Sequence, residues 1–235
     1  DLESAGLSDR IQIDARESID FFGMDTVELV NANTSTDVFS VHPTDIGNFN
    51  TLTVTGDGDD VLEAIGTGNA DTLSSAPGGG AQGTAGVNGV DVQFGGLDTV
   101  KLVGQDGDDT FGVTPIVGVT TVVDAGAPSA SDVLNVSVDG DARVTQGAVS
   151  TSGTVDLTGA GDIDYSGVEE LNIDAAEGGS LLTVRGTDDN DTISIQPVGN
   201  PQGQVTINDG TVMTFNSNNG NYADLDVHGR FGDDA

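Results

Sequence analysis

Leu52-Thr-Val54-Thr-Gly56-Asp-Gly-Asp-Asp60-Val-Leu62 reads as a short alternating strand, a glycine, a polar turn that closes on aspartate, and a second alternating strand. The same sentence returns as Leu102-Val-Gly104-Gln-Asp-Gly-Asp-Asp109-Thr-Phe111 and as Leu182-Thr-Val184-Arg-Gly186-Thr-Asp-Asp-Asn-Asp191-Thr-Ile193. A fourth copy opens with Leu225-Asp-Val227-His-Gly229 and runs to Asp234. Repetition of a unit too small to bury its own apolar face marks a stacked array, in which each unit covers the next.

The aspartate that closes each turn serves as a ruler. It falls at Asp37, Asp60, Asp109, Asp132, Asp191 and Asp234, with gaps of 23, 49, 23, 59 and 43 residues. Two gaps are equal, two are near their double, and the gap of 59 requires an insertion. A second phrase supports the period: Gly23-Met-Asp25-Thr-Val27-Glu-Leu29 matches Gly96-Leu-Asp98-Thr-Val100-Lys-Leu102, with Gly167-Val-Glu169-Glu-Leu171-Asn-Ile173 as a looser copy. A coil of roughly two dozen residues fits the range of stacked repeats.

Composition agrees. Of 39 acidic residues only seven are Glu, and Asp favours turns and caps where Glu favours helices. Thirty-five glycines and β-branched runs argue further against helix. Within the strands Val, Leu and Ile alternate with Thr, Ser and Asn, which places one face on a narrow core. Aromatics make up 4% of the chain and Trp is absent, which suits a thin aliphatic interior. The chain therefore reads as all-β: a right-handed parallel β-solenoid, or β-helix, whose hand follows the rule for parallel crossovers. Residues 1–235 form a single repeat domain, with a loop insertion near 74–89, where Gly and Ala crowd out any strand pattern, and a candidate insertion near 146–161, within which Thr154-Val-Asp-Leu157 has the pattern of one more strand. The motif still open at Asp233 and Asp234 reads as a segment of a longer chain.

Six Lys and Arg stand against the 39 acids, a formal net charge of −33. Such a surface repels nucleic acid and anionic membrane, and no apolar run approaches the roughly 20 residues of a membrane span, so neither nucleic-acid binding nor membrane insertion is expected. Cations are the natural partners. Aspartates stacked about 4.8 Å apart repel by about 1 kcal/mol in water and by about 3 kcal/mol when partly desolvated. Calcium relieves that repulsion, since it takes six to eight oxygens and tolerates glycine-rich turns. The candidate ligands are Asp57, Asp59 and Asp60; Asp106, Asp108 and Asp109; Asp188, Asp189, Asn190 and Asp191; and Asp233 and Asp234. Plain Asp-Gly turn chemistry, with no metal, is the competing reading.

Gly56-Asp-Gly58-Asp-Asp60-Val-Leu62 resembles one copy of the haemolysin-type, or repeats-in-toxin, nonapeptide without its first glycine, and the turns at Gly104 and Gly186 resemble it more loosely. That resemblance implies calcium held in the turns of a parallel β-roll on an exported protein. The motifs here stand singly among longer coils instead of in tandem. The chain as a whole is similar to the Asp/Gly/Thr-rich repeat regions of giant prokaryotic surface proteins and adhesins. This implies an extracellular or cell-surface, non-catalytic structural segment: a surface fibre, an adhesin stalk or a surface-layer scaffold. Its partners would be further copies or flanking repeats of the same chain, with cell-surface glycans or proteins as targets.

Two other functions compete. A repeats-in-toxin-like secretion segment would fold on meeting external calcium. A polysaccharide-active β-helix enzyme would need an Arg or Lys base beside paired carboxylates in a cleft. His42 and His228 lie far apart without partner Cys or His, and the six basic residues are scattered, each expected to pair with a local carboxylate. Asn33, Asn135 and Asn190 head glycosylation triplets of the kind an Asn/Ser/Thr-rich chain produces by chance.

Overall fold

The computed structural model describes residues 9–13, 17–21, 26–31, 35–42, 51–78, 82–126, 131–175, 180–199, 202–216 and 222–230. Asp233 and Asp234 lie outside them. Along the chain the strands are β1 (Asp9–Ile13), β2 (Glu17–Phe21), β3 (Thr26–Val30), β4 (Val38–Val41), β5 (Thr51–Ile65), β6 (Thr72–Pro77), β7 (Gly83–Val87), β8 (Val90–Val103), β9 (Thr110–Val113) and β10 (Thr120–Asp124). They continue as β11 (Val133–Val138), β12 (Ala142–Gln146), β13 (Ser152–Leu157), β14 (Ile163–Ser166), β15 (Glu170–Ala175), β16 (Ser180–Arg185), β17 (Ile193–Gly199), β18 (Gln202–Ile207), β19 (Val212–Asn216) and β20 (Tyr222–His228). No helix occurs among the described residues, so the chain is all-β, and most of its strand pairs are parallel.

The pairings trace two runs. Run one is β3, the first half of β5, the first half of β8, then β7, β6, β9, β11, β15, β19, β18 and β17. Run two is β2, β1, β4, the second halves of β5 and β8, then β10, β14, β13, β12, β16 and β20. From β3 onward the chain passes back and forth between the runs, and β5 and β8 bend from one into the other. Strict period-two burial follows from this: Leu52 and Val54 are buried in run one and Leu62 and Ala64 in run two, with the intervening residues turned outward. Inward side chains of both runs belong to one apolar cluster, which fills the narrow space between them. Phe94 and Phe111 are its largest fully buried members.

The short repeat is real in space. Val38 stands opposite Val61 and Thr110 opposite Val133, and the aspartates just before each pair are 23 positions apart. The longer gaps come from three inserted strands, β7, β13 and β18, each antiparallel to both of its neighbours. The stretch near 74–89, expected as a loop, thus contains strand β7, and the stretch near 146–161 contains β13. A glycine in each inserted strand lies directly opposite an aromatic residue: Gly83 opposite Phe94, Gly153 opposite Tyr165, Gly203 opposite Phe215. A Cβ on any of the three would run into that ring, so the missing side chain is the space the aromatic fills. This is why β7, with glycine and alanine where a strand usually shows Val or Ile, does not read as a strand.

The second phrase proves not to mark equivalent positions. Thr26 to Val30 pair with Thr51 to Thr55 in run one, whereas Thr99 to Val103 pair with Val61 to Ile65 in run two. Both runs use the same inward apolar spacing, so local strand chemistry repeats without regard to which run it serves.

Candidate functional site

The acidic turns form the corners where the chain passes between the runs. In each, the early acids face solvent and the closing aspartate turns in. Asp57, Asp59, Asp106, Asp108, Asp188, Asp189 and Asn190 are exposed, whereas Asp60, Asp109 and Asp191 are buried. Asp71 is a buried closing aspartate as well, and Asp132 occupies the same place before β11.

Backbone donors account for that burial. The N–H of Asp71 donates to Asp109 Oδ1 at 2.7 Å, the N–H of Asp109 to Asp132 Oδ1 at 2.7 Å, and the N–H of Asp132 to Glu169 Oε2 at 2.9 Å. On the other side, the N–H of Asp37 donates to Asp60 Oδ1 at 2.9 Å. Each carboxylate thus receives the amide of the equivalent residue before the adjacent strand, a charge-assisted bond that offsets part of the repulsion in the column.

The glycine that opens each corner has a steric role. A Cβ at Gly66 would lie 2.8 Å from Asp71 Oδ2 and 3.0 Å from the Gly104 carbonyl, and Gly56 stands in the same relation to Asp60 Oδ2 and the Gly96 carbonyl. Methyl groups at Gly104 and Gly186 would strike Asp109 Oδ2 and Asp191 Oδ2. The repeated Gly…Asp spacing therefore records a carboxylate folded back over a bare Cα.

Two corners complete this arrangement in the same way, 120 positions apart. Thr67 donates N–H to Asp71 Oδ2 at 2.5 Å and its hydroxyl to the same oxygen at 2.9 Å, while Asn88 Nδ2 reaches Oδ1 at 2.6 Å. At Asp191 the N–H of Thr187 donates to Oδ2 at 2.9 Å, while its hydroxyl and Asn208 Nδ2 donate to Oδ1 at 2.8 and 2.5 Å. Asp60 is served by the N–H of Asp57 at 3.1 Å and by Asn31 Nδ2 at 3.1 Å. Burial works to raise the Asp60 pKa, but the amides of Asp37 and Asp57 and the Asn31 side chain outweigh it, so the net shift is downward.

Corner 104–109 differs. Gln105 stands where the others place Thr or Asp; it adopts φ +80° and spends its side-chain amide on the Gly66 carbonyl at 2.5 Å. Among the described residues no donor reaches Asp109 Oδ2, which is buried beside Gly104. Burial pushes Asp109 up to about 6; the Asp71 amide opposes the shift, and the carboxylates of Asp132, Asp71 and Asp108 add to it. Asp132 is also raised, by burial first, against the Asp109 amide and with Glu169 and Asp108 adding repulsion.

These oxygens bear on calcium. Among the described residues no group of three or more His, Asp or Glu side chains converges on a point. A cation at Asp60, Asp71 or Asp191 would have to displace N–H and O–H donors already in place. Asp188 is 3.2 Å from Arg230 Nε in an ion pair. Corner 104–109 fits a cation better, because its buried carboxyl keeps an oxygen that no donor reaches among the described residues.

Lys101, Arg143 and Arg230 pair with local carboxylates. Lys101 sits between Glu63 at 3.7 Å and Asp124 at 3.2 Å, and Arg143 Nε meets Asp156 at 2.7 Å. Arg143 and Arg185 share a shallow depression of about 320 Å³ with Asp141, Asp156 and Asp162. His228 lies 2.8 Å from Asp226 and His42 is exposed. Sequence reasoning passed over Asp71, Glu169, Asn31, Thr67 and Thr187. Asp71 carried a readable signal, since Gly66 precedes it by the same five positions that separate Gly104 from Asp109 and Gly186 from Asp191. Comparison with family models, with curated proteins and with solved structures returns no match.

Proposed function

We propose that the chain is a non-catalytic structural repeat segment of an extracellular or cell-surface assembly, built as a right-handed parallel β-solenoid and stiffened by calcium. The carrying observation is the corner column from Asp71 through Asp109 and Asp132 to Glu169. It joins four successive coils by carboxylate-to-amide bonds and spends its acids on stacking. A catalytic pair needs carboxyls that stay free to exchange protons with a substrate. Nine strand levels shared by both runs, at about 4.8 Å each, give a stiff body about 40 Å long, a dimension suited to a spacer or stalk. Calcium would be drawn to corner 104–109 by Asp109 Oδ2, which has no donor among the described residues, and by the negative charge of the exposed Asp106 and Asp108, with backbone carbonyls and water completing its oxygen shell.

The test is thermal unfolding followed by circular dichroism in chelator and in millimolar calcium, each at low and at molar NaCl. A midpoint raised by calcium at both salt concentrations, and no longer raised in Asp108→Asn, supports the reading. A midpoint that follows NaCl alone removes calcium from it.

A second reading rests on the depression that gathers Arg143 and Arg185 with Asp141, Asp156 and Asp162, since an acidic polysaccharide would need basic side chains of this kind beside carboxylates. Binding or cleavage of a polyuronate, lost in Arg185→Ala, would favour it over the structural role.

A further inference from the structure

Among the described residues the two runs contain equal numbers of strands but are displaced along the stack. Nine levels are shared, from β3 beside β4 to β19 beside β20. Beyond them run one carries two extra strands, β18 and β17, at the C-terminal end, and run two carries two extra strands, β1 and β2, at the N-terminal end. Each end is thus a step two strands deep, and the steps lie in opposite runs. From this we infer that the ends interlock: a second copy of the chain sets its β3 against β17 and its β2 against β20, head to tail. The inference rests on the reading of the chain as a stacking scaffold and names the surfaces that stack.

Strand direction permits both new pairings. Between β3 and β17 the run reverses direction an even number of times, through β7 and through β18, so β3 and β17 point the same way. β2 is likewise parallel to β20, through β1 and through β13. Both junctions would continue the parallel pairing that dominates inside the molecule, and a heterologous contact that does not close on itself grows as a filament.

The C-terminal end shows what it lacks. Ile195 pairs opposite Val205, a buried core residue, yet is itself 56% exposed because no coil lies beyond it among the described residues. Leu225 and Val227, opposite Leu182 and Val184, are also only partly buried. Edge strands left in water are commonly blunted by charge. In a chain that is 19% charged, the segment from Thr192 to Gly199 has no charged residue. Pro197 confines the new ladder to the residues before it, a length matched inside the molecule by the four-residue pairings of β6 with β9 and β4 with β5. At the other end Val27 and Leu29 of β3 are already covered, so the copy contributes chiefly its strand edge there and gains cover for Ile195.

Sedimentation velocity of the whole chain across a range of protein concentration, at low and at molar NaCl, tests the interlock. The expected result is an open series of masses at high salt that recedes at low salt, where two copies of net charge −33 repel. Ile195→Lys should abolish the series with its melting midpoint unchanged. Val117→Lys, on an exposed turn between β9 and β10 away from both ends, should leave the series intact. A chain monomeric under all conditions overturns the interlock, as does a series that stops at dimer or one that Val117→Lys abolishes equally. A monomer whose midpoint still rises with calcium would separate this failure from failure of the scaffold reading.

Discussion

The backbone N–H of Asp71 donates to Oδ1 of Asp109 across 38 positions of chain, while Oδ2 of the same carboxyl is buried with no donor among the described residues. One oxygen ties the entries of two neighbouring strands together and the other opposes the charge that makes the bond strong. Because the folded pKa of Asp109 is raised to about 6, the folded state binds more protons than the unfolded state between the ordinary aspartate value and that point. Stability at this group therefore falls as pH rises from about 4 to about 6, by up to about 3 kcal/mol. Asp109→Asn, with an N–H₂ in place of the orphan oxygen, should melt higher than the parent at pH 8 and flatten the pH profile between 4 and 6. Thermal melts of both proteins from pH 3 to 8 decide it; an equal loss of stability at pH 4 and pH 8 refutes the account.

Asp60 should behave in the opposite sense. Its lowered pKa means that its contribution is present above the unfolded value and is lost as pH falls through the folded one. Asp60→Asn would turn an amide toward the donors of Asp57 and Asn31, and a cost of about 2 to 3 kcal/mol is expected at neutral pH. Denaturant titration at pH 7 measures it, and a neutral effect would show that the donors rearrange freely.

The corner glycines divide by what a methyl would meet. Gly104→Ala and Gly186→Ala place a carbon against a buried carboxylate and should cost about 1 to 3 kcal/mol. Gly68→Ala, in the same kind of corner, meets nothing within 4 Å and should be neutral or stabilising by up to about 1 kcal/mol, through the unfolded state. Equal effects at Gly68 and Gly186 would count against the steric lock.

Thr187→Val removes a hydroxyl bond to a buried carboxylate without changing side-chain shape, and about 1.5 to 3 kcal/mol should go with it. Thr187→Ser keeps the donor and should retain most of the stability. If the two variants melt together, the hydroxyl is not what supports Asp191.

Much of this was legible in the sequence. Alternation of Val, Leu and Ile with Thr and Ser located the strands, and the aspartate ruler found Asp60, Asp109, Asp132 and Asp191, because a closing residue must recur wherever a corner recurs. Two things stayed hidden. The reversals at β7, β13 and β18 look like loop or like one more coil, since antiparallel and parallel strands share one alternation. Only the pairing of Gly83, Gly153 and Gly203 with aromatics tells them apart, and that pairing exists in space. The corner column also admits non-aspartates: Glu169 receives an amide there, and Thr211, fully buried, donates its hydroxyl to the Val168 carbonyl beside it. Nor does a list of acids disclose which carboxylates turn inward. Asp108 and Asp109 are neighbours of identical chemistry with opposite exposure, and only the fold shows that Asp109 is the one turned back over the bare Cα of Gly104.

The inserted strands also govern the order in which this molecule can be completed. Among the described residues β6 pairs only with β7 and β9, and β12 only with β13 and β16, all of them later in the chain. A chain delivered from its N-terminus, by a ribosome or through an export channel, presents β6 and β12 before any of their partners exist. Assembly must then advance in instalments of a whole meander, each strand idle until its hairpin arrives. Delivery slower than that interval leaves an unpaired strand waiting at the growing tip, and the gap between two reversals sets the smallest length of this polypeptide that can close on itself.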